Sequence, residues 1–92
     1  MSEIIWKYKV NSHLEKLTVK EYKAALRIIP EVLDVAVNTF HNYRKIKLHD
    51  TQDIPYEKLK MLEILFGVKP GELENFTITG EPLKALIKKG KY

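Results

Sequence analysis

The chain has 92 residues, the length of one domain, and contains no cysteine, so disulfide frameworks and thiolate metal sites are excluded. Its hydrophobic content of 45% and charged content of 30% are typical of a globular protein, and its net charge of +4 suits a polyanionic partner. No apolar run approaches the roughly 20 residues that span a bilayer. The first residues lack the order of a signal peptide, so we expect a cytoplasmic protein with no membrane partner.

The N-terminal segment, residues 1–16, begins with alternating apolar and polar side chains. Period two predicts a short strand, although Ser2 and Glu3 could instead open a helix. We expect this segment to form a strand or a dimer contact. The alternating apolar residues are Ile4, Trp6, Tyr8 and Val10.

A helix start follows at Thr18, which can cap a helix together with Glu21 in a capping box. Leu17 and Tyr22 are spaced to pack against each other across that cap. Pro30 predicts the end of this helix and the start of a short second one, because proline disfavours helical geometry at the preceding residue. The apolar face of the first helix consists of Tyr22, Ala25, Leu26 and Ile29.

A third helical segment is predicted from about Val37 to Lys45. Phe40 and Tyr43 lie three residues apart, so both can face the interior. Asp34, just before it, tolerates the left-handed conformation of a tight turn. The polar side of this helix carries Asn38, His41, Asn42 and Lys45.

Pro55 and Gly67 mark the two ends of a fourth predicted helix, since proline favours the first position and glycine the left-handed cap. Pro70 then opens a short turn that points Leu73 inward. The remaining residues, 77–92, form a basic tail that could be a partner-binding helix or frayed chain. The apolar stripe of the fourth helix is Leu59, Leu62, Leu65 and Phe66, and that of the tail is Leu83, Leu86 and Ile87.

These elements predict a mainly α fold, a compact bundle of four to five short helices with a helix-turn-helix and room for a short N-terminal strand. Residues 17–76 would form the domain, between the N-terminal segment and the tail. The expected core is Tyr22, Leu26, Ile29, Leu33, Val35, Phe40, Tyr43, Leu59, Leu62, Phe66 and Leu73.

The most informative pattern lies in residues 30–44, where a leucine, a turn residue, a branched aliphatic residue and a small residue precede two buried aromatic residues three apart. This order resembles the helix-turn-helix of the phage repressor and Cro-type (lambda repressor-like) family of DNA-binding domains. The resemblance extends over roughly residues 17–76. Asp34 stands where that family usually has glycine, and Pro30 where it has alanine. The matching residues are Leu33, Asp34, Val35, Ala36, Phe40 and Tyr43.

The resemblance implies a sequence-specific transcriptional regulator of bacterial or phage origin that binds double-stranded DNA as a homodimer. A helix at about residues 37–45 would enter the major groove, where asparagine can pair with adenine. The expected base contacts are Ala36, Val37, Asn38, His41 and Asn42. The expected phosphate contacts are Arg44, Lys45, Lys47 and Lys58.

Each of these residues also has a plainer interpretation. Asn38 could cap the helix, and His41 could be an ordinary surface residue. Arg44 and Lys45 would stabilise the negative end of the helix dipole with or without DNA.

Two other functions fit the same sequence. A protein-binding adaptor would use Phe40, Tyr43 or the tail as a partner surface, and an antitoxin would bind both DNA and a toxin. The three histidines lack metal-ligand spacing, and no glycine-rich phosphate loop occurs. We therefore expect no enzyme activity, no bound metal and no cofactor.

Overall fold

The computed structural model describes residues 4–90, which form a small bundle of five helices with no extended strand. The expected mainly α fold is confirmed. The only β pairing among these residues consists of two isolated antiparallel bridges, Trp6 to Lys47 and Tyr8 to Glu74. The helices are α1 (Val10–Glu15), α2 (Val19–Leu33), α3 (Val37–Arg44), α4 (Tyr56–Phe66) and α5 (Leu83–Lys88).

The start of α2 is confirmed as a capping box. The Thr18 hydroxyl accepts a hydrogen bond from the Glu21 backbone N–H at 3.2 Å. The Glu21 carboxylate accepts one from the Thr18 N–H at 2.9 Å. Two backbone donors that a helix start leaves unpaired are thus satisfied.

The prediction that Pro30 ends this helix is wrong, because α2 continues through Pro30 to Leu33. Ile29, Pro30 and Leu33 are all buried, and four residues cannot form a stable separate helix. Burial of these side chains outweighs the hydrogen bond that proline removes. Asp34 then ends the helix in the left-handed conformation.

The next two helices lie close to their predicted positions. α3 covers Val37–Arg44, and α4 begins at Tyr56, one residue after Pro55, which serves as its N-cap. Gly67 ends α4 with φ 66°, as expected for a left-handed cap.

The predicted N-terminal strand is not formed. Lys7 lies between two loops: its N–H donates to the Ile46 carbonyl, and its carbonyl accepts from the Asn75 N–H. Each loop meets this segment over too few residues for a ladder, and at Val10 the chain turns into α1. The alternative helix start at Ser2 and Glu3 lies outside the described residues.

Helix α1 was not predicted from the sequence. It has six residues and no side-chain cap, so the usual start signal is missing. Val10 and Leu14 share one face at i, i+4 spacing, and both are buried.

The core contains most of the expected residues. Ile29, Leu33, Phe40, Tyr43, Leu59, Leu62 and Leu73 are buried, while Tyr22, Leu26, Val35 and Phe66 are half-buried against them. The core also includes five residues outside the expected core, because they lie in segments whose sequence predicts a strand or a loop. These are Tyr8, Val10, Leu14, Ile46 and Ile54.

Candidate nucleic-acid interface

Helices α2 and α3 form a helix-turn-helix joined by only three residues, Asp34 to Ala36. Asp34 adopts φ 56° and ψ 48°, and no other non-glycine residue of the described chain has a positive φ. Ala36 is extended and acts as the N-cap of α3, its carbonyl accepting from the Phe40 N–H. Aspartate tolerates the left-handed region better than most residues, which allows this tight reversal without glycine.

The orientation of α3 about its axis agrees with the sequence pattern. Phe40 and Tyr43 point into the core, with 0% and 6% of their surfaces exposed. Asn38 and Asn42 are exposed on the opposite side, one helical turn apart. The two aromatic residues are therefore unavailable as a partner surface.

Four of the five expected base-contacting residues are exposed, three of them at the start of α3 and Asn42 in its second half. Ala36, Val37, Asn38 and Asn42 are accessible, and His41 is half-buried. Asn38 does not cap the helix, because Ala36 occupies that position and no side-chain cap bond is formed. The Asn38 amide therefore has no capping role.

The half-buried Arg44 makes three hydrogen bonds to other side chains of the protein. Its Nε donates to Asn11 Oδ1 at 2.7 Å, and its Nη2 donates to the Tyr22 hydroxyl at 3.2 Å. Its Nη1 lies 3.0 Å from His41 Nδ1, and the guanidinium also lies 6.0 Å from the ring centre of Phe40. Arg44 thus connects α3 to α1 and α2, and much of its donor capacity is used within the domain.

The contact between Arg44 Nη1 and His41 Nδ1 determines which imidazole nitrogen accepts a hydrogen bond. A guanidinium can only donate, so His41 Nδ1 must accept from Arg44. The neutral imidazole then carries its proton on Nε2. His41 therefore presents a donor on its other edge.

The three lysines of the expected phosphate-contacting set differ in how free they are. Lys45 and Lys47 are exposed just after α3. Lys58 is half-buried, and its Nζ donates to the Leu33 carbonyl at 2.6 Å, which satisfies the end of α2. Lys45 and Lys47 are thus the more accessible cations.

A second polar cluster surrounds the buried Lys7. Its Nζ donates to the carbonyls of Asp50 and Gln52 at 3.0 and 3.1 Å and pairs with the Asp53 carboxylate at 2.5 Å. The hydrogen bond and charge of Lys7 hold the pKa of Asp53 below its usual value. The Tyr8 hydroxyl also bonds to Asp53 and accepts from the Ile54 N–H, and burial raises the pKa of this tyrosine. The cluster fixes the loop between α3 and α4 against the N-terminal segment.

The sequence alone did not identify Asn11 and Tyr22 as the residues that bond to Arg44 of α3 from α1 and α2. Asn11 lies just after the predicted strand, and no sequence pattern links it to Arg44 across 33 positions. Tyr22 is one of the expected core residues. A tyrosine hydroxyl at the edge of a core usually finds a polar partner, and this was the signal for its contact with Arg44.

Residues 4–90 contain no cluster of three or more His, Asp or Glu side chains that could hold a metal ion. No helix in this part of the chain is long and apolar enough to cross a bilayer.

Comparisons with protein-family models, with curated proteins and with solved structures find no match to this chain. The resemblance to the repressor family therefore rests on the residues of the helix-turn-helix pattern.

Proposed function

We propose that this protein is a sequence-specific duplex-DNA-binding transcriptional regulator that inserts α3 into the major groove. One observation carries the proposal: α3 follows a three-residue turn, buries Phe40 and Tyr43, and turns Asn38 and Asn42 outward. A helix on a rigid scaffold with three or four free side chains is the form in which the major groove is commonly read. The role would require the chain to act in the cytoplasm of a bacterial cell, where its DNA or that of a phage lies.

The side chains on α3 match distinct base edges. Asn38 and Asn42 can each accept and donate to adenine, and the exposed methyl groups of Ala36 and Val37 can contact a thymine methyl. His41 presents Nε2–H as a donor, which suits the N7 or O6 acceptor of guanine. Lys45 and Lys47 would contact phosphates beside the groove.

Selection from a random duplex library tests this proposal. We expect enrichment of a sequence that includes adenine and guanine positions, and a palindrome if two copies bind together. Affinity should fall as salt rises, and replacing Lys45 or Lys47 by alanine should reduce the salt slope by about 1 each. A library without enrichment, or an affinity that salt does not change, would refute DNA recognition.

Asn42→Ala separates base recognition from general binding. We expect it to weaken the enriched site about 5- to 100-fold while leaving binding to random duplex unchanged. Gln52→Ala is the matched control, because Gln52 is an exposed amide in the loop after α3. Circular dichroism of both variants would check the fold, and equal effects of the two would contradict the proposed face.

The adaptor and antitoxin functions each need a surface that binds a protein partner, and only part of the expected surface is exposed. Phe40 and Tyr43 are buried, so of the surfaces suggested by the sequence only the tail remains for a protein partner. A DNA-binding chain with such a tail is compatible with an antitoxin. A chain that does not bind DNA but binds a protein partner through its tail would favour the adaptor function.

A further inference from the structure

Helix α5 carries an apolar stripe that lies largely exposed. Leu83 and Ile87 are 70% and 56% exposed, and no residue of α5 is buried. Together with Leu86 they fall at i, i+3, i+4 spacing on one face. A helix of six residues is not stable alone in water, so α5 requires a surface against which its apolar stripe can pack.

The helix is carried on an arm that extends away from the bundle. Residues 77–82 are all exposed and include Gly80. The radius of gyration is 16.7 Å, with a longest dimension of 57 Å. A compact chain of this length would have a radius of gyration of about 12 Å. The arm therefore offers its apolar face at a distance from the body of its own chain.

The bundle has a groove that fits such a helix. It lies between α2 and α4, has a volume of about 300 Å³, and is mainly apolar. Ala24 and Ala25 leave room for the backbone of a docked helix to approach, and Ile28 is 44% exposed beside them. Leu65 and Phe66 form the opposite wall.

Charge favours this groove over two other depressions of the described surface. The charged residues of α5 are all basic, and the only charged residue lining the α2–α4 groove is Glu21. The depression between α1 and α2 contains Glu15 and Lys23, whose charges offset, and the one beside the N-terminal segment contains Lys47, so neither has a net negative lining. The basic residues of α5 are Lys84 and Lys88, while Lys89, just after the helix, pairs with Glu81.

We propose that this protein forms a homodimer by arm exchange, in which α5 of each copy docks into the α2–α4 groove of the other. One chain supplies both surfaces, so a two-fold axis satisfies two arms and two grooves at once and closes the assembly. The Leu83–Ile87 stripe covers the apolar walls, and the lysines of α5 lie near Glu21. The inference does not depend on DNA binding, and its tests are made without DNA.

Light scattering on the full-length chain over a range of concentrations tests the dimer. We expect twice the 10.8 kDa chain mass for the unmodified protein, and 10.8 kDa for Leu83→Glu/Ile87→Glu and for Ile28→Glu. Ile78→Glu is the matched control, since it adds the same charge at an 87% exposed isoleucine of the arm outside α5. Unmodified protein that stays monomeric, or arm and groove variants that stay dimeric, overturns the proposal.

Disulfide trapping tests which copy the arm reaches, and the absence of native cysteine means that only introduced thiols react. A chain with Ala24→Cys is mixed with a differently tagged chain with Leu86→Cys. We expect a mixed-tag crosslinked dimer under mild oxidation, because a docked helix brings the Cα atoms within disulfide range. Ser12→Cys, on exposed α1 surface, replaces Ala24→Cys as the control and should give no product.

A chain carrying both Ala24→Cys and Leu86→Cys separates exchange from docking within one copy. Arm exchange gives a covalent dimer on a non-reducing gel, whereas docking of the arm on its own body gives an oxidised monomer. The second result, or the absence of any product, overturns the proposal.

Discussion

Arg44 shows at the residue scale how one side chain positions the proposed recognition helix. Its guanidinium bonds to Asn11 on α1, Tyr22 on α2 and His41 on α3. A planar fork of donors can meet acceptors in several directions, which an ammonium on a flexible stem does less well. We therefore interpret Arg44 as a residue that positions α3 within the domain, in addition to any phosphate contact.

Arg44→Ala should destabilise the protein by about 2–3 kcal/mol, since it leaves several partners unsatisfied. Arg44→Lys should restore only a small part of that loss. Urea unfolding without DNA measures both. Lys45→Ala is the control, because Lys45 is exposed and its loss should change stability by less than about 0.5 kcal/mol. An Arg44→Ala protein as stable as the unmodified chain would leave only the phosphate role.

At the element scale, the end of α2 and the start of α3 are set by a single left-handed residue. Asp34 N–H donates to the Glu31 carbonyl, and Val35 N–H donates to the Pro30 carbonyl, so two of the carbonyls at the end of α2 are satisfied. Lys58 Nζ supplies a further bond to the Leu33 carbonyl. These bonds and the burial of Leu33 explain why α2 continues past Pro30.

Asp34→Val should lower the free energy of unfolding by roughly 1–2 kcal/mol, because a β-branched residue is strained at a φ of 56°. Asp34→Gly should be tolerated, since glycine adopts this region freely. Thermal unfolding compares the two, with Thr51→Gly, in the exposed loop after α3, as a control for added chain entropy. Equal stability of the valine and glycine variants would show that the turn has another conformation in solution.

At the scale of the whole molecule, Lys7 joins three separate parts of the chain. Its backbone bonds to Ile46 and Asn75, and its Nζ holds Asp50, Gln52 and Asp53. Phe76 lies beneath the same ammonium, 5.6 Å from its ring centre. The N-terminal segment therefore holds the loop after α3 and the loop after α4 together through Lys7.

This cluster predicts an acid-dependent loss of stability. The folded pKa of Asp53 lies below its ordinary value of 3.8, so its contribution is present above that value and is lost as pH falls through the folded pKa. Asp53→Asn should lower stability at neutral pH by less than about 1 kcal/mol, because the side chain is 61% exposed. The free energy of unfolding of this variant should also fall less steeply between about pH 5 and pH 2 than that of the unmodified chain.

Urea unfolding at several pH values measures this effect. Glu57→Gln, at an exposed carboxylate in the first turn of α4, is the control for removing one acidic group. An Asp53→Asn protein with the same acid slope as the unmodified chain would mean that the Lys7 pair does not contribute.

The sequence by itself determined the features that depend on neighbouring residues. The capping box at Thr18, the inward pair Phe40 and Tyr43 on α3, and the left-handed end of α4 at Gly67 all follow from local spacing and backbone preference. Only the tertiary structure decided the course of Lys7 between two distant loops, the continuation of α2 through Pro30 and the attachment of Arg44 to Asn11. These outcomes depend on burial and hydrogen bonds between residues far apart in the chain, where long-range packing overrides local preference.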